Sequence, residues 1–168
     1  MAVSERASAG TPPAVTVALL VRMLREAFDG PPGPWSYFTD TAPRTGVFGT
    51  ISTLTASEAS WQGGPGHSTI AGHVHHLRSS IALSTSSLRG ESTSRDRSRS
   101  WTVSDVDESA WVALQAELRR AYEGLLVAVE MHSAWDEDAL GAAFGAIAHT
   151  TYHLGAIRQR LAPRAKLP

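Results

Sequence analysis

The sequence predicts an all-α domain, most simply a four-helix bundle. Three observations lead there: four segments carry apolar residues at three- and four-residue spacing, Gly- and Pro-rich stretches separate them, and no strand-like alternation or internal repeat occurs. The 168-residue length suits one domain with a sizeable core.

The first helix is expected over about Ala14 to Phe28, where Val17, Leu20, Leu24 and Phe28 share a face. Asp29-Gly30-Pro31-Pro32-Gly33-Pro34 ends it, because proline lacks a backbone donor and its ring clashes with the preceding turn. From Trp35 to Trp61 the pattern is mixed, with a break at Pro43 and a short helical piece around Phe48 to Ala59. Gly63-Gly64-Pro65-Gly66 marks a boundary, after which Ser68 or Thr69 can cap a second helix reaching about Leu88. Its stripe is Ile70, Val74, Leu77, Ile81 and Leu88. Arg89 to Ser100 contains no apolar residue and reads as an exposed, mobile loop. The third helix follows Ser104-Asp105-Val106-Asp107 and carries Trp111, Leu114, Leu118, Tyr122, Leu125 and Val129. The fourth begins after Trp135, where Asp136, Glu137 and Asp138 set negative charge against the positive end of the helix dipole. It runs to about Leu161, and Pro163 stops it. Residues 1–13 and 163–168 read as tails flanking a single domain, 14–162.

Composition removes several kinds of chemistry. Without cysteine there is no disulfide, no thiolate metal site and no cysteine nucleophile. A formal charge of -1 and 18% charged residues leave no basic footprint for nucleic acid, and the lone lysine, Lys166, is near the C-terminus. No apolar run is long enough to suggest a membrane span, and Met1 to Pro13 lack the apolar core of a secretory signal. A cytoplasmic protein acting on a small molecule is the expectation.

The seven histidines carry the functional signal, because imidazole is the commonest metal-binding side chain. His67 falls in the glycine-rich boundary and His132 near a helix C-terminus, where loop and capping roles suffice. His149 and His153 are four apart on the fourth helix and project from one face. At about 100° per residue, that face lies opposite Leu140, Phe144, Ile147 and Leu154, and shares its side with the small residues Ala142, Gly145, Ala146 and Ala156. No Asp, Glu, Lys or Arg occurs between Asp138 and Arg158, so this helix is expected to be covered nearly all round. Either it is the central helix of the core or one face packs against a second subunit; because a bundle helix normally buries one stripe, a homodimer is the expectation.

On the second helix His73 and Ser80 border the apolar stripe, His76 lies further round the same flank, and His75 points to the other side, toward solvent. His76 is the better candidate to reach the His149 and His153 pair, with His73 as supporting or alternative ligand; helical geometry alone does not separate the two. Three imidazoles and an open position is the pattern of a catalytic metal site. All-nitrogen ligation suits zinc, nickel, copper or iron, and residue types alone do not select among them. His149-Thr150-Thr151-Tyr152-His153 lacks the glutamate of the metalloprotease helix. Trp35, Trp61, Trp101 and Trp135 sit near helix ends, where they could rim a pocket.

The stretch Thr69-Ile70-Ala71-Gly72-His73-Val74-His75-His76-Leu77, Trp101 and Trp111, and the run from His149 through Leu154-Gly155-Ala156-Ile157-Arg158-Gln159 together resemble the DinB-like (DinB/YfiT) superfamily. The resemblance spans about Ala14 to Leu161, and its specific part is His-x3-His followed by Leu-Gly-Ala-Ile-Arg-Gln. It implies a four-helix bundle with a long crossover connection, often dimeric, and a divalent metal, zinc or nickel, held by His76, His149 and His153. It further implies a metal-dependent enzyme of the thiol S-transferase type, in which the ion activates an external low-molecular-weight thiol. Tyr152 would be a neighbour of that site and His73 a supporting residue. The competing expectations are hydrolysis by metal-bound water and a non-catalytic protein, either a metal-stabilised dimer or a small-molecule binding module.

Overall fold

In the computed structural model, residues 14–64, 66–92 and 101–161 are described. The chain is helical, with α1 (Ala14–Asp29), α2 (Val47–Ile51), α3 (Ala56–Ala59), α4 (Ile70–Leu88), α5 (Glu108–Met131) and α6 (Glu137–Leu161). No strand occurs among the described residues. The four long helices fall where the periodicity predicts, and the short piece expected around Phe48 to Ala59 divides into α2 and α3. The readings of residues 1–13, 93–100 and 163–168 as tails and mobile loop lie outside the described residues. The described start of that loop, residues 89–92, is exposed.

α4, α5 and α6 begin where a side-chain oxygen takes up an amide that the first turn leaves without a partner. Thr69 accepts from the Gly72 N–H at 3.0 Å, Asp107 from Ala110 at 2.8 Å and Asp136 from Ala139 at 2.8 Å. α5 and α6 each pack on both α1 and α4, so the order around the core is α1, α5, α4, α6. Leu20, Leu24 and Phe28 of α1, Leu77 and Ile81 of α4, Trp111, Leu118 and Leu125 of α5, and Ile147 and Ile157 of α6 fill the centre. Phe28 stacks on Tyr122 at 4.5 Å, and the Tyr122 hydroxyl donates to Asp29.

The segment between α1 and α4 is tied down by a buried carboxylate. Glu26 is 1% exposed, and its Oε1 accepts from the Ser36 hydroxyl and the Tyr37 and Phe38 amides, each at 2.7 Å. Burial alone would raise its pKa; those hydrogen bonds to the charged form outweigh it and hold the carboxyl below its usual value. Gly46 closes the turn next to it, since a Cβ there would sit 2.5 Å from the Phe28 carbonyl oxygen.

Two expectations for α6 are corrected. Phe144 does not join the apolar stripe but stands 47% exposed. Within one chain Gly141, Phe144, Gly145, Ala148, Tyr152 and Gly155 form an exposed row. The reason is that α6 packs on both α1 and α4 and buries one wide arc, Ala139, Ala143, Ala146, Ile147, Thr150, His153, Leu154 and Ile157. His153 and Leu154 are therefore on the same buried side rather than on opposite faces.

Candidate metal centre

Contact between α4 and α6 brings the two histidine clusters together. His76 of α4 and His149 and His153 of α6 place one ring nitrogen each within 4.8 Å of one another. His76 Nε2 lies 3.0 Å from His149 Nε2. His153 is 1% exposed, whereas the other two are half-buried and face a cavity of about 850 Å3.

The donor set fits a divalent ion. Among the described residues, His153 Nε2 is buried with no hydrogen-bond partner, a costly arrangement unless something outside the chain binds it. Its other nitrogen, Nδ1, is 2.8 Å from His73 Nδ1. One of that pair must carry the proton. If His153 is to offer a lone pair at Nε2, its Nδ1–H donates to His73, which fixes tautomer and ring orientation together. Burial keeps these rings neutral: it pushes the pKa of His153 down to about 3 and that of His73 down to about 4, and it lowers that of His149. Neutral imidazole is the form that ligates.

Two further side chains complete the surroundings: Trp101, which lines the cavity as its place near a helix end suggested, and Ser80, which sequence reasoning left without a role. The Trp101 indole stacks on His76 at 4.3 Å and 17°, and meets His73 edge-on at 5.4 Å. It reaches them because Gly72 lets the connector approach α4: a Cβ on Gly72 would lie 3.0 Å from the Val103 carbonyl oxygen. Ser80 Oγ lies 3.1 Å from His149 Nε2. The signal for Ser80 was its spacing, since His76, Ser80 and Ser84 recur every four residues and share a helix face. Ser80, Ser84 and Ser87 line one side of the cavity; Gly141, Ala142, Gly145 and Ala146 line the other, and Glu137 and Asp138 belong to its α6 end.

The remaining candidates lie elsewhere. Tyr152 is 69% exposed on the outside of α6, with its ring edge-on to His153 at 5.1 Å. His75, expected to be exposed, is half-buried beside Arg78. His67 is exposed in its loop, and His132 caps the C-terminus of α5. Trp135 is buried beneath that end and donates to the His132 carbonyl, so it does not rim the histidine cavity.

These features define an all-helical protein with a three-histidine group that could hold a metal ion. Compared with protein-family models, curated proteins and solved structures, the chain matches none. No helix among the described residues is long and apolar enough to cross a membrane.

Proposed function

We propose that the protein is a metal-dependent enzyme of the thiol S-transferase type, built as a DinB-like four-helix bundle with a long crossover between α1 and α4. The observation that carries this reading is the buried, unpartnered Nε2 of His153 beside His76 and His149, next to a cavity large enough for a small molecule. His76, His149 and His153 would hold the ion, zinc or nickel. A divalent ion there supplies Lewis acidity that lowers the pKa of a thiol at neutral pH.

The chain's own residues do the rest. His73 holds His153 in the ligating tautomer through its 2.8 Å hydrogen bond. Trp101 covers one side of His76 and limits water there. Ser80, Ser84 and Ser87 offer hydroxyls to orient a polar substrate along α4. The sulfur nucleophile comes from outside, because the chain contains no cysteine. An external acceptor likewise supplies the electrophilic carbon.

The test is to load the protein with zinc or nickel and measure metal stoichiometry, then thiol consumption with a generic electrophile across several low-molecular-weight thiols. One ion per chain and metal-dependent consumption of at least one thiol are expected. Stoichiometric metal with no thiol turnover, but with ester or amide hydrolysis, would replace this reading by the hydrolase. Failure to bind any divalent ion would overturn it.

A further inference from the structure

Ser80 uses its hydroxyl differently from its neighbours on α4. A serine or threonine inside a helix commonly turns its hydroxyl back to the carbonyl four residues earlier. Ser79 does so to His75 at 3.0 Å, and Thr85 to Ile81 at 2.9 Å. Ser80 instead reaches across the helix contact, placing Oγ 3.1 Å from His149 Nε2. That nitrogen is the one turned toward His76, whose Nε2 is 3.0 Å away, so the hydroxyl stands beside the closest approach of two of the three histidines.

The contact and metal ligation exclude each other. An acceptor nitrogen of a neutral imidazole has a single lone pair. When His149 Nε2 accepts from Ser80, the hydroxyl proton occupies that pair; when Nε2 holds an ion, the ion occupies it. Loading the site therefore releases a half-buried hydroxyl that lines the cavity. Such a group needs a new partner, and the group that fills the open position of a three-histidine site is the one within its reach. Among the described residues lining the cavity there is no lysine or arginine to meet a negative sulfur. Of the cavity's serines, Ser80 is the one in contact with the histidine group, since Ser84 and Ser87 lie further along α4.

We propose that Ser80 contacts the substrate directly: once an ion is bound, its hydroxyl turns from His149 Nε2 to the sulfur of the incoming thiol and donates to it, holding it as the thiolate while the thiol proton leaves to solvent. This rests on His76, His149 and His153 binding the ion, and it assigns to Ser80 a role that Ser84 and Ser87 do not share.

The absence of native cysteine makes the test direct, because every sulfur signal comes from an introduced or added thiol. Cobalt serves as the probe, a divalent ion that imidazole holds and whose bonds to sulfur absorb light. In cobalt-loaded Ser80→Cys, a sulfur-to-cobalt charge-transfer band is expected without added thiol, and the introduced thiol should be protected from alkylation. Ser84→Cys, one turn along α4, should show neither. Ser80→Ala should bind cobalt with wild-type stoichiometry but need about tenfold more 2-mercaptoethanol to develop the band, and Ser80→Thr should restore the wild-type titration. Wild-type protein that binds no cobalt would overturn the metal site itself. Cobalt-loaded wild type with an unchanged 2-mercaptoethanol titration in Ser80→Ala, or a Ser80→Cys thiol alkylated as fast as that of Ser84→Cys, would overturn the role of Ser80 alone.

Discussion

His73 and His153 meet nitrogen to nitrogen, Nδ1 to Nδ1 at 2.8 Å, and this contact leaves Nε2 of His153, a histidine grouped with His76 and His149, buried and without a hydrogen-bond partner. One ring on α4 thus orients a ligand on α6. Removing such a support typically weakens a metal site 10- to 100-fold (roughly) without deleting a ligand. His73→Phe is expected to lower zinc affinity by about that factor in a chelator competition while stoichiometry at saturation stays at one ion per chain.

Ligand deletion should behave differently. His153→Ala is expected to abolish stoichiometric metal binding, whereas His75→Ala, on the Arg78 side of α4, should leave it intact. Metal analysis of the purified variants separates the two. Full metal content in His153→Ala would remove His153 from the ligand set.

The metal-free protein should lose stability in mildly acidic solution. Burial depresses His73 to about 4 and His153 to about 3 in the folded state, from 6.5 when unfolded. Between those values the unfolded chain binds protons that the folded chain refuses, so stability falls as pH falls. The contribution is complete above about 6.5 and is lost progressively toward 4 and below. Urea midpoints measured from pH 8 to pH 4 should decline below 6.5, and less steeply in His73→Phe.

Two glycines should respond in opposite directions. Gly72→Val meets the Val103 carbonyl oxygen, 3.0 Å from its Cβ position, and is expected to cost about 1–3 kcal/mol and to displace Trp101 from His76. Gly124→Ala meets nothing within 4 Å and should stabilise α5 by about 0.5–1 kcal/mol. Thermal denaturation checks both, and tryptophan fluorescence reports the displacement of Trp101.

The buried carboxylate gives a further expectation. Glu26→Gln replaces one pure acceptor by an amide in a nest of four donors, and should destabilise the protein by about 1–3 kcal/mol. Because the Glu26 pKa is lowered on folding, the wild-type advantage is present above the unfolded carboxylate value of 4.5 and shrinks as pH falls below it. Chemical denaturation of both proteins at pH 7 and at pH 4 measures that difference.

Most helices were legible because their signals are local. Thr69, Asp107 and Asp136 cap with their own side chains, and the three- and four-residue stripes of α1, α4 and α5 point inward as their spacing requires. The i, i+4 relation of His149 and His153 is local too. Phe144 misled because a stripe read from one helix assumes one buried face, whereas α6 is wedged between two neighbours. Half of its inward arc is Ala139, Ala143, Ala146 and Thr150, whose small size permits close helix contact but carries little hydrophobic signal of its own.

By itself, the sequence determined that the chain is helical, where the long helices lie, that it brings no thiol of its own, and which helix faces carry imidazole. Those properties follow from backbone periodicity and residue chemistry within a few turns. Only the tertiary structure decided that His73 pairs with His153, that Trp101 lies flat on His76, and that Ser80 reaches His149. Each of these joins residues on separate elements, and their rotation and distance are set by how the core packs. The same packing leaves the Phe144 and Tyr152 face of α6 outside.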